Sequence, residues 1–217
     1  MMIGPTNYID MSISGKSYEE AKKEIQNLWK DIRRLKKLIE EVPDAEEMLI
    51  CPSPGVQINT YKDYLEAARD YFESQGWEYV PTKEEIADKK FNDRLKDVQS
   101  IEVRYGAALS YRGLRTITFD GSKIVLDADL YNLYLPPEKK KQNPYENMTK
   151  ETLLEELADL HIGEWKRFYE NDCVLDGIEW SVTFKYLDKK EKTFSGGNRY
   201  PYNFYSFLDV MQIEPLD

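Results

Sequence analysis

The chain has 217 residues, with 40 Asp or Glu against 30 Lys or Arg, a formal net charge of −10 and a pI near 4.9. Apolar residues make up 41% and aromatic residues 13% of the chain, which is too many for an intrinsically disordered protein. No apolar run approaches the roughly 20 residues of a membrane-spanning helix. The acidic balance argues against broad binding to phosphate backbones.

The first predicted element is a long helix from about Ser17 to Val42. Ser17 and Glu20 have the spacing of a capping box, and apolar residues then recur at alternating steps of three and four. This heptad spacing is typical of a helix that packs against a partner helix. We call the apolar row the seam; it includes Ile25, Leu28, Ile32 and Leu35.

The partner of the seam is either a second copy of the chain, giving a homodimer, or the next helix of the same chain. Helical periodicity predicts a second helix over residues 61–72 and a short third helix that begins after Thr82. Short connections favour antiparallel neighbours, so we predict that residues 1–98 form a helical arm or hairpin of two to three helices.

From Ser100 the apolar residues alternate with a period of two. Alternating runs flank Asp120-Gly121, which predicts a hairpin, and a further strand is predicted over residues 178–186. One helix is predicted after Thr149 and a last short one from Phe204. The order predicts an α+β domain over residues 99–217, with an antiparallel sheet of about five strands and two packed helices.

Three carboxylates are candidates for a catalytic metal site. Asp127 and Asp129 are two positions apart on a predicted strand and therefore share a face, and Glu102 is on a predicted neighbouring strand. Grouped carboxylates hold Mg²⁺ or Mn²⁺ in metal-dependent nucleases. The simpler interpretation is that these acids are the solvent-facing residues of amphipathic strands.

Negative charge is concentrated between Glu151 and Trp180, where nine acidic residues oppose two basic ones for a net charge of −7. This segment is either a solvated helix face or a docking surface for a basic partner, such as a nucleic-acid-processing protein. The candidate docking residues on the predicted helix are Glu151, Glu155, Glu156 and Asp159.

The segment SGGNRYPYNF, residues 195–204, allows two interpretations. It is either a recognition loop or a structural corner that buries its aromatic rings and docks the last helix. As a recognition loop it would expose Asn198, Arg199, Tyr200 and Tyr202.

Other chemistry has less support. Cys173 and His161 are close in sequence, but the acidic surroundings oppose a reactive thiolate. Cys51 and Cys173 make no disulfide framework and favour a reducing, cytoplasmic location. One histidine and two distant cysteines cannot form a structural zinc site, and we expect no cofactor.

Residues 100–212 resemble a group of small bacterial proteins found on plasmids, conjugative elements and prophages. The group has Asp-Gly-x-x-Trp on a strand and then Gly-x-Asn-x-Tyr-Pro-x-Asn-Phe before a last helix. The matching residues are Asp176, Gly177, Trp180, Gly196 or Gly197, Asn198, Tyr200, Pro201, Asn203 and Phe204. The resemblance implies no catalytic residues; it implies the setting of mobile elements, some of whose proteins are anti-CRISPR or other anti-defence inhibitors.

These observations predict a non-enzymatic interaction protein. Its acidic surface would dock on a basic protein or nucleoprotein complex, with a CRISPR nuclease as one such partner. The alternatives are a metal-dependent nuclease and a homodimeric scaffold joined through the N-terminal helix.

Overall fold

The computed structural model describes residues 3–42, 51–107, 113–130, 143–171 and 177–215. The chain forms two compact units with a boundary between Pro81 and Thr82. We call the first the helical unit and the second the sheet unit.

The described part of the helical unit contains α1 (Pro5–Ser12), α2 (Tyr18–Glu41) and α3 (Pro54–Ser74). The predicted capping box of α2 is confirmed. The N–H and the hydroxyl of Ser17 both donate to the Glu20 carboxylate, at 2.9 Å and 2.6 Å. These hydrogen bonds lower the pKa of Glu20 from its usual value.

The seam of α2 packs against α3 within the same chain. Its central residue Ile32 is fully buried, and the side chains of α3 that are buried include Ile58, Leu65, Ala68 and Phe72. The four named seam residues are at most 8% exposed. They therefore offer no free apolar surface to a second copy, which removes the basis for a homodimer joined through this seam.

The sheet unit contains helices before, between and after its strands. In its described part these elements are α4 (Lys83–Leu95), β1 (Val98–Ala107), β2 (Leu114–Asp120), β3 (Lys123–Asp129), α5 (Lys150–Asp159), a 3₁₀ turn (Ile162–Glu164), β4 (Phe168–Glu170), β5 (Ile178–Tyr186), β6 (Glu191–Gly197) and α6 (Phe204–Val210).

The six strands form one sheet in the order β3-β2-β1-β5-β6-β4. All neighbours are antiparallel except β4, which pairs parallel to β6. The predicted α+β class is confirmed. The strand that the sequence did not predict is β4, because three residues are too few to show an alternating pattern.

The core of the sheet unit lies between the inner face of the sheet and helices α4, α5 and α6. Helix α4 belongs to this core, since Phe91 meets Phe184 edge to face with ring centroids 5.0 Å apart. The boundary of the compact units therefore lies before α4, whereas the sequence placed it at residues 98/99. The apolar residues of α4 alone do not reveal which partner they pack against.

Candidate functional site

Helix α5 carries the predicted acidic docking residues on the sides that face away from the core. The Thr149 hydroxyl caps the helix by accepting the N–H of Thr152 at 3.2 Å, and Leu153 and Leu157 are fully buried. The carboxylates are exposed except for one that is half-buried. We call these four residues the acidic face: Glu151, Glu155, Glu156 (half-buried) and Asp159.

The residues of the acidic face differ in their hydrogen bonding. The Glu151 carboxylate accepts from its own backbone N–H and from the Ser122 hydroxyl, 3.1 Å away, and these bonds lower its pKa. In the described part of the chain, Glu155, Glu156 and Asp159 have no hydrogen-bonding or ion-pair partner. Three negative charges thus lie close together on one helix without a paired cation, which favours the approach of a basic surface.

The loop that follows β6 is a structural corner in its first half. Asn198 has a left-handed φ of +53°, and its Oδ1 accepts the Ile178 N–H at 2.9 Å. The Asn198 N–H donates in turn to the Ile178 carbonyl at 2.9 Å. A Cβ at position 177 would lie 1.7 Å from Asn198 Oδ1, so a side chain in place of Gly177 would displace the Asn198 amide from this position. Asn198 therefore fastens the start of β5 to the end of β6.

The aromatic residues of this loop are also structural. The ring of Tyr200 stacks on Phe204 with centroids 5.0 Å apart, and burial raises the pKa of Tyr200. Burial, together with the negative charges of Glu164 and Asp88, raises the pKa of Tyr202 well above its usual value. The hydroxyl of Tyr202 hydrogen-bonds with the Glu164 carboxylate.

Other polar groups of this loop also hold the corner together. The backbone carbonyl of Arg199 accepts the Trp180 indole N–H at 2.9 Å, and the Arg199 side chain is half-buried. Asn203 accepts the Trp165 indole N–H at 2.8 Å and donates to the Leu160 carbonyl. The structure thus favours the corner over a recognition loop, because the rings and indoles gain burial and hydrogen bonds there.

The three candidate metal ligands are not brought together as a site. The Asp129 side chain is 8% exposed and pairs with Arg115, while Asp127 is exposed at a β-bulge where the β2–β3 register shifts. Glu102 instead lies 2.8 Å from Arg104 Nε and 3.6 Å from Lys185 Nζ. Across the described ranges, no group of three or more His, Cys, Asp or Glu residues could hold a metal ion. Among the described residues, Glu102, Asp127 and Asp129 therefore do not form a shared ligand set for a metal ion.

Arg115 shows what Asp129 does instead. The Arg115 side chain is 4% exposed, and its Nη2 lies 3.1 Å from both carboxylate oxygens of Asp129. Its Nη1 donates to the carbonyls of Met211 and Gln212, each 2.7 Å away. The Arg115 guanidinium thus connects the end of α6 to strands β2 and β3, so the Arg115–Asp129 pair is structural.

A second polar cluster, which the sequence analysis missed, surrounds the single histidine. His161 has a left-handed φ of +52°, and its Nδ1 lies 2.7 Å from Asp88 Oδ2 on α4. Asp88 is 7% exposed, and its other oxygen accepts the Gly163 N–H at 3.2 Å. A Cβ on Gly163 would lie 2.4 Å from the Asp88 Cα, so this approach requires glycine.

This cluster joins α4 to the 3₁₀ turn after α5. An imidazole held by a carboxylate also resembles the base and its orienting group in hydrolases. The partners lie 73 positions apart, so no local pattern in the sequence reveals the pair. Cys173, the thiol considered beside His161, lies outside the described residues.

Comparison with protein-family models, with curated proteins and with solved structures finds no match to this chain. In the ranges that the structure describes, every helix is too short or too polar to cross a membrane.

Proposed function

We propose that this protein is a non-enzymatic interaction protein that docks the acidic face of α5 on a basic, nucleic-acid-processing partner. The observation that carries the proposal is the arrangement of Glu155, Glu156 and Asp159. These carboxylates have no ion-pair partner among the described residues, and they project from a helix whose opposite side is anchored in the core.

The anchoring of α5 makes this surface suitable for docking. Leu153 and Leu157 are fully buried and Thr149 caps the first turn, so the backbone that carries the acids is held before a partner arrives. Residues four apart on a helix are separated by about 6 Å along its axis, which places Glu155 and Asp159 in one row. A preformed row of charges loses less conformational entropy on binding than a disordered acidic segment.

The expected contribution of the charges is to specificity and association rate. Individual exposed ion pairs contribute only about 0–1 kcal/mol, but a charged patch steers encounter and rejects partners of the same sign. A basic groove that normally holds phosphates is a suitable partner. Its Lys and Arg side chains attract the acidic face, and carboxylates take the place of the phosphates there.

The finer form of the proposal is an anti-defence inhibitor carried by a mobile element, with a CRISPR nuclease as the partner. The resemblance of residues 100–212 to mobile-element proteins supports the setting. Such nucleases hold their nucleic acids in positively charged channels, which are surfaces of the kind that the acidic face complements.

The experiment compares three immobilised proteins: the wild type, the variant E155K/E156K/D159K, and the control variant E66K/D70K/E73K. The control residues are exposed acids on α3, in the other unit, and both variants change the net charge by the same amount. A bacterial host lysate is passed over each at low and at high salt, and retained proteins are quantified by mass spectrometry.

We expect the wild type and the control to retain the same basic nucleic-acid-processing protein at low salt and to release it at high salt. The α5 variant should lose that protein. A guide-loaded CRISPR nuclease then tests the finer form, since the wild type should reduce its DNA cleavage and the α5 variant should not. Equal retention by all three proteins would remove the acidic face from the interaction.

A further inference from the structure

The solvent side of α2, in the helical unit, has an unusual composition. Between Lys23 and Lys37 the exposed residues are all Lys, Arg, Gln or Asn, and the two acids, Glu24 and Asp31, are half-buried. We call these seven residues the α2 stripe: Lys23, Gln26, Asn27, Lys30, Arg33, Arg34 and Lys37. No acidic residue and no apolar residue belongs to this set.

Helix geometry places the seven residues on one continuous surface. At 100° per residue they cover a sector of about 120°, and from Lys23 to Lys37 the helix rises about 21 Å. The opposite sector is the seam, with Ile25, Ile32 and Leu35 buried. The helical periodicity of the sequence therefore places the apolar residues of α2 on its buried side and the cations of the α2 stripe on its exposed side.

The charge of this surface is only partly compensated. Over residues 22–37 the helix has seven basic and two acidic residues, a net charge of +5. One acid, Glu24, pairs with Lys16 at 2.8 Å, and the other, Asp31, lies 3.5 Å from Arg34 Nε.

The cations of the stripe differ in their partners. Neither Lys23 nor Lys30 forms an ion pair with any described residue. Arg33 lies over the ring of Trp29, 5.6 Å from its centroid, and Lys37 lies 3.8 Å from Glu41 near the end of the helix. Two lysines on the stripe are thus available to an external anion without breaking an ion pair.

We propose that the α2 stripe binds the phosphate backbone of a nucleic acid. Phosphate oxygens accept hydrogen bonds from Lys, Arg, Asn and Gln side chains, and these are the residue types of the stripe. A straight row of cations about 21 Å long matches a linear polyanion, which presents phosphates at regular intervals along its axis.

Two other anionic partners fit less well. A protein interface needs buried aromatic or aliphatic anchors at its centre, and the stripe has none. A helix that lies on an anionic membrane inserts its apolar face between the lipids. The apolar face of α2 is already buried against α3, so only its charges could touch lipid.

The net charge of −10 does not oppose this local binding at ordinary ionic strength. Salt screens charges separated by more than about 8–10 Å, so an anion at the stripe responds mainly to the nearby cations. The overall charge should instead restrict binding to this surface. The inference rests on a different helix, in a different unit, from the acidic face, and it does not depend on the docking proposed for α5.

The test measures fluorescence anisotropy of a short labelled DNA duplex, of the single strand and of the corresponding RNA duplex, with the full chain over a range of salt concentrations. The variant is K23Q/K30Q/R34Q, which removes three exposed cations and keeps good helix-forming residues. The control is K83Q/K90Q/K96Q, which removes three exposed cations at or beside α4 in the sheet unit.

The wild type should bind at least one of these probes at low salt. Its logarithmic affinity should fall with the logarithm of the salt concentration by about 0.9 for each contacted phosphate of a DNA duplex. The stripe variant should bind about 10- to 100-fold more weakly at low salt, with a slope shallower by about three. The control should keep the wild-type affinity within about two-fold.

Absence of salt-dependent binding to all three probes would overturn the inference, as would equal losses in the stripe variant and the control. Binding of phosphatidylserine vesicles or of polyglutamate without binding of nucleic acid would also overturn it and would identify a different anionic partner. Circular dichroism checks that the triple variant is folded. If it is not, the single variant Lys30→Gln should still reduce the slope by about one.

Discussion

The helical unit and the sheet unit are stabilised in different ways. The buried residues of α2 and α3 are apolar or aromatic and repeat at helical spacing, so the two helices pack against each other along apolar faces. The buried charged residues of the described chain, Asp88 and Arg115, both lie in the sheet unit. There Arg115 ties strand β2 to the end of α6, and Asp88 ties α4 to the 3₁₀ turn after α5, each across a long stretch of sequence.

The contrast shows when a polar residue type in the sequence indicates a binding site. In the sheet unit, the singled-out residues Asp129, Asn198 and Tyr202 all have internal partners. In the helical unit, the polar residues between Lys23 and Lys37 lie on the outside because the core is complete without them. Exposed polar residues that have no ion-pair partner among the described residues, such as Lys23 and Lys30, are therefore the better candidates for binding.

The largest expected effect comes from breaking the buried ion pair of the sheet unit. Arg115→Ala leaves the Asp129 carboxylate buried without its cation. It also removes the hydrogen bonds from Arg115 to the carbonyls of Met211 and Gln212 at the end of α6. Breaking a buried pair in this way costs about 3–5 kcal/mol. Urea denaturation followed by circular dichroism measures the loss, and hydrogen exchange by mass spectrometry should localise it to the sheet unit.

Its matched control is Lys89→Ala, which removes an ion pair whose side chains are 76% and 62% exposed. That change should cost less than about 1 kcal/mol, because exposed pairs are solvated and screened. A comparable loss in both variants would show that the Arg115 pair is no more important than a surface pair.

The next largest effect tests the packing of the helical unit. Ile32 is fully buried in the seam, so Ile32→Ala should lower the free energy of unfolding by about 2–4 kcal/mol. Because the seam is satisfied by α3, the unfolding midpoint should not depend on protein concentration. Hydrogen exchange should increase in α2 and α3.

Gln26→Ala, on the exposed side of the same helix, serves as the control and should change stability by less than about 0.5 kcal/mol. A midpoint that rises with protein concentration would restore the homodimer as an explanation of the seam.

The smallest effect distinguishes the corner from a recognition loop. Asn198→Gly keeps the left-handed backbone and removes the Oδ1 that accepts the Ile178 N–H, at a cost of about 1 kcal/mol. Asn198→Ala should cost about 1 kcal/mol more, because alanine is strained at positive φ. Thermal denaturation measures both.

The same two variants should retain the partner captured by the wild type. Normal stability together with loss of that partner would instead make Asn198 a contact residue. The pair of substitutions thus separates backbone strain, hydrogen bonding and recognition at one position.

Much of the secondary structure could be predicted from the sequence. The start of α2 at Ser17, the hairpin at Asp120-Gly121 and the caps at Thr82 and Thr149 all follow from contacts within a few residues. The three-residue strand β4 could not be predicted, because it exists only through its pairing with β6.

The candidate site was predictable only in part. The concentration of acids on α5 is visible in the sequence because helical spacing places Glu151, Glu155 and Asp159 in one row. That Asp129 meets Arg115 and that Asp88 meets His161 could not be predicted, since 14 and 73 positions separate the partners. The sequence shows that a residue is Asp or Glu, but it does not show whether the carboxylate has a partner in the folded chain.

The α+β class, the amphipathic helices and the distribution of charge can be predicted from the sequence, because they depend on residue type and on periods of two and 3.6 residues. The folded structure was needed to show that α4 joins the sheet unit and that the seam of α2 packs within the chain. It also decided which polar residues stay exposed. Those outcomes depend on which distant side chains meet, and burial without a partner costs far more free energy than any local preference provides.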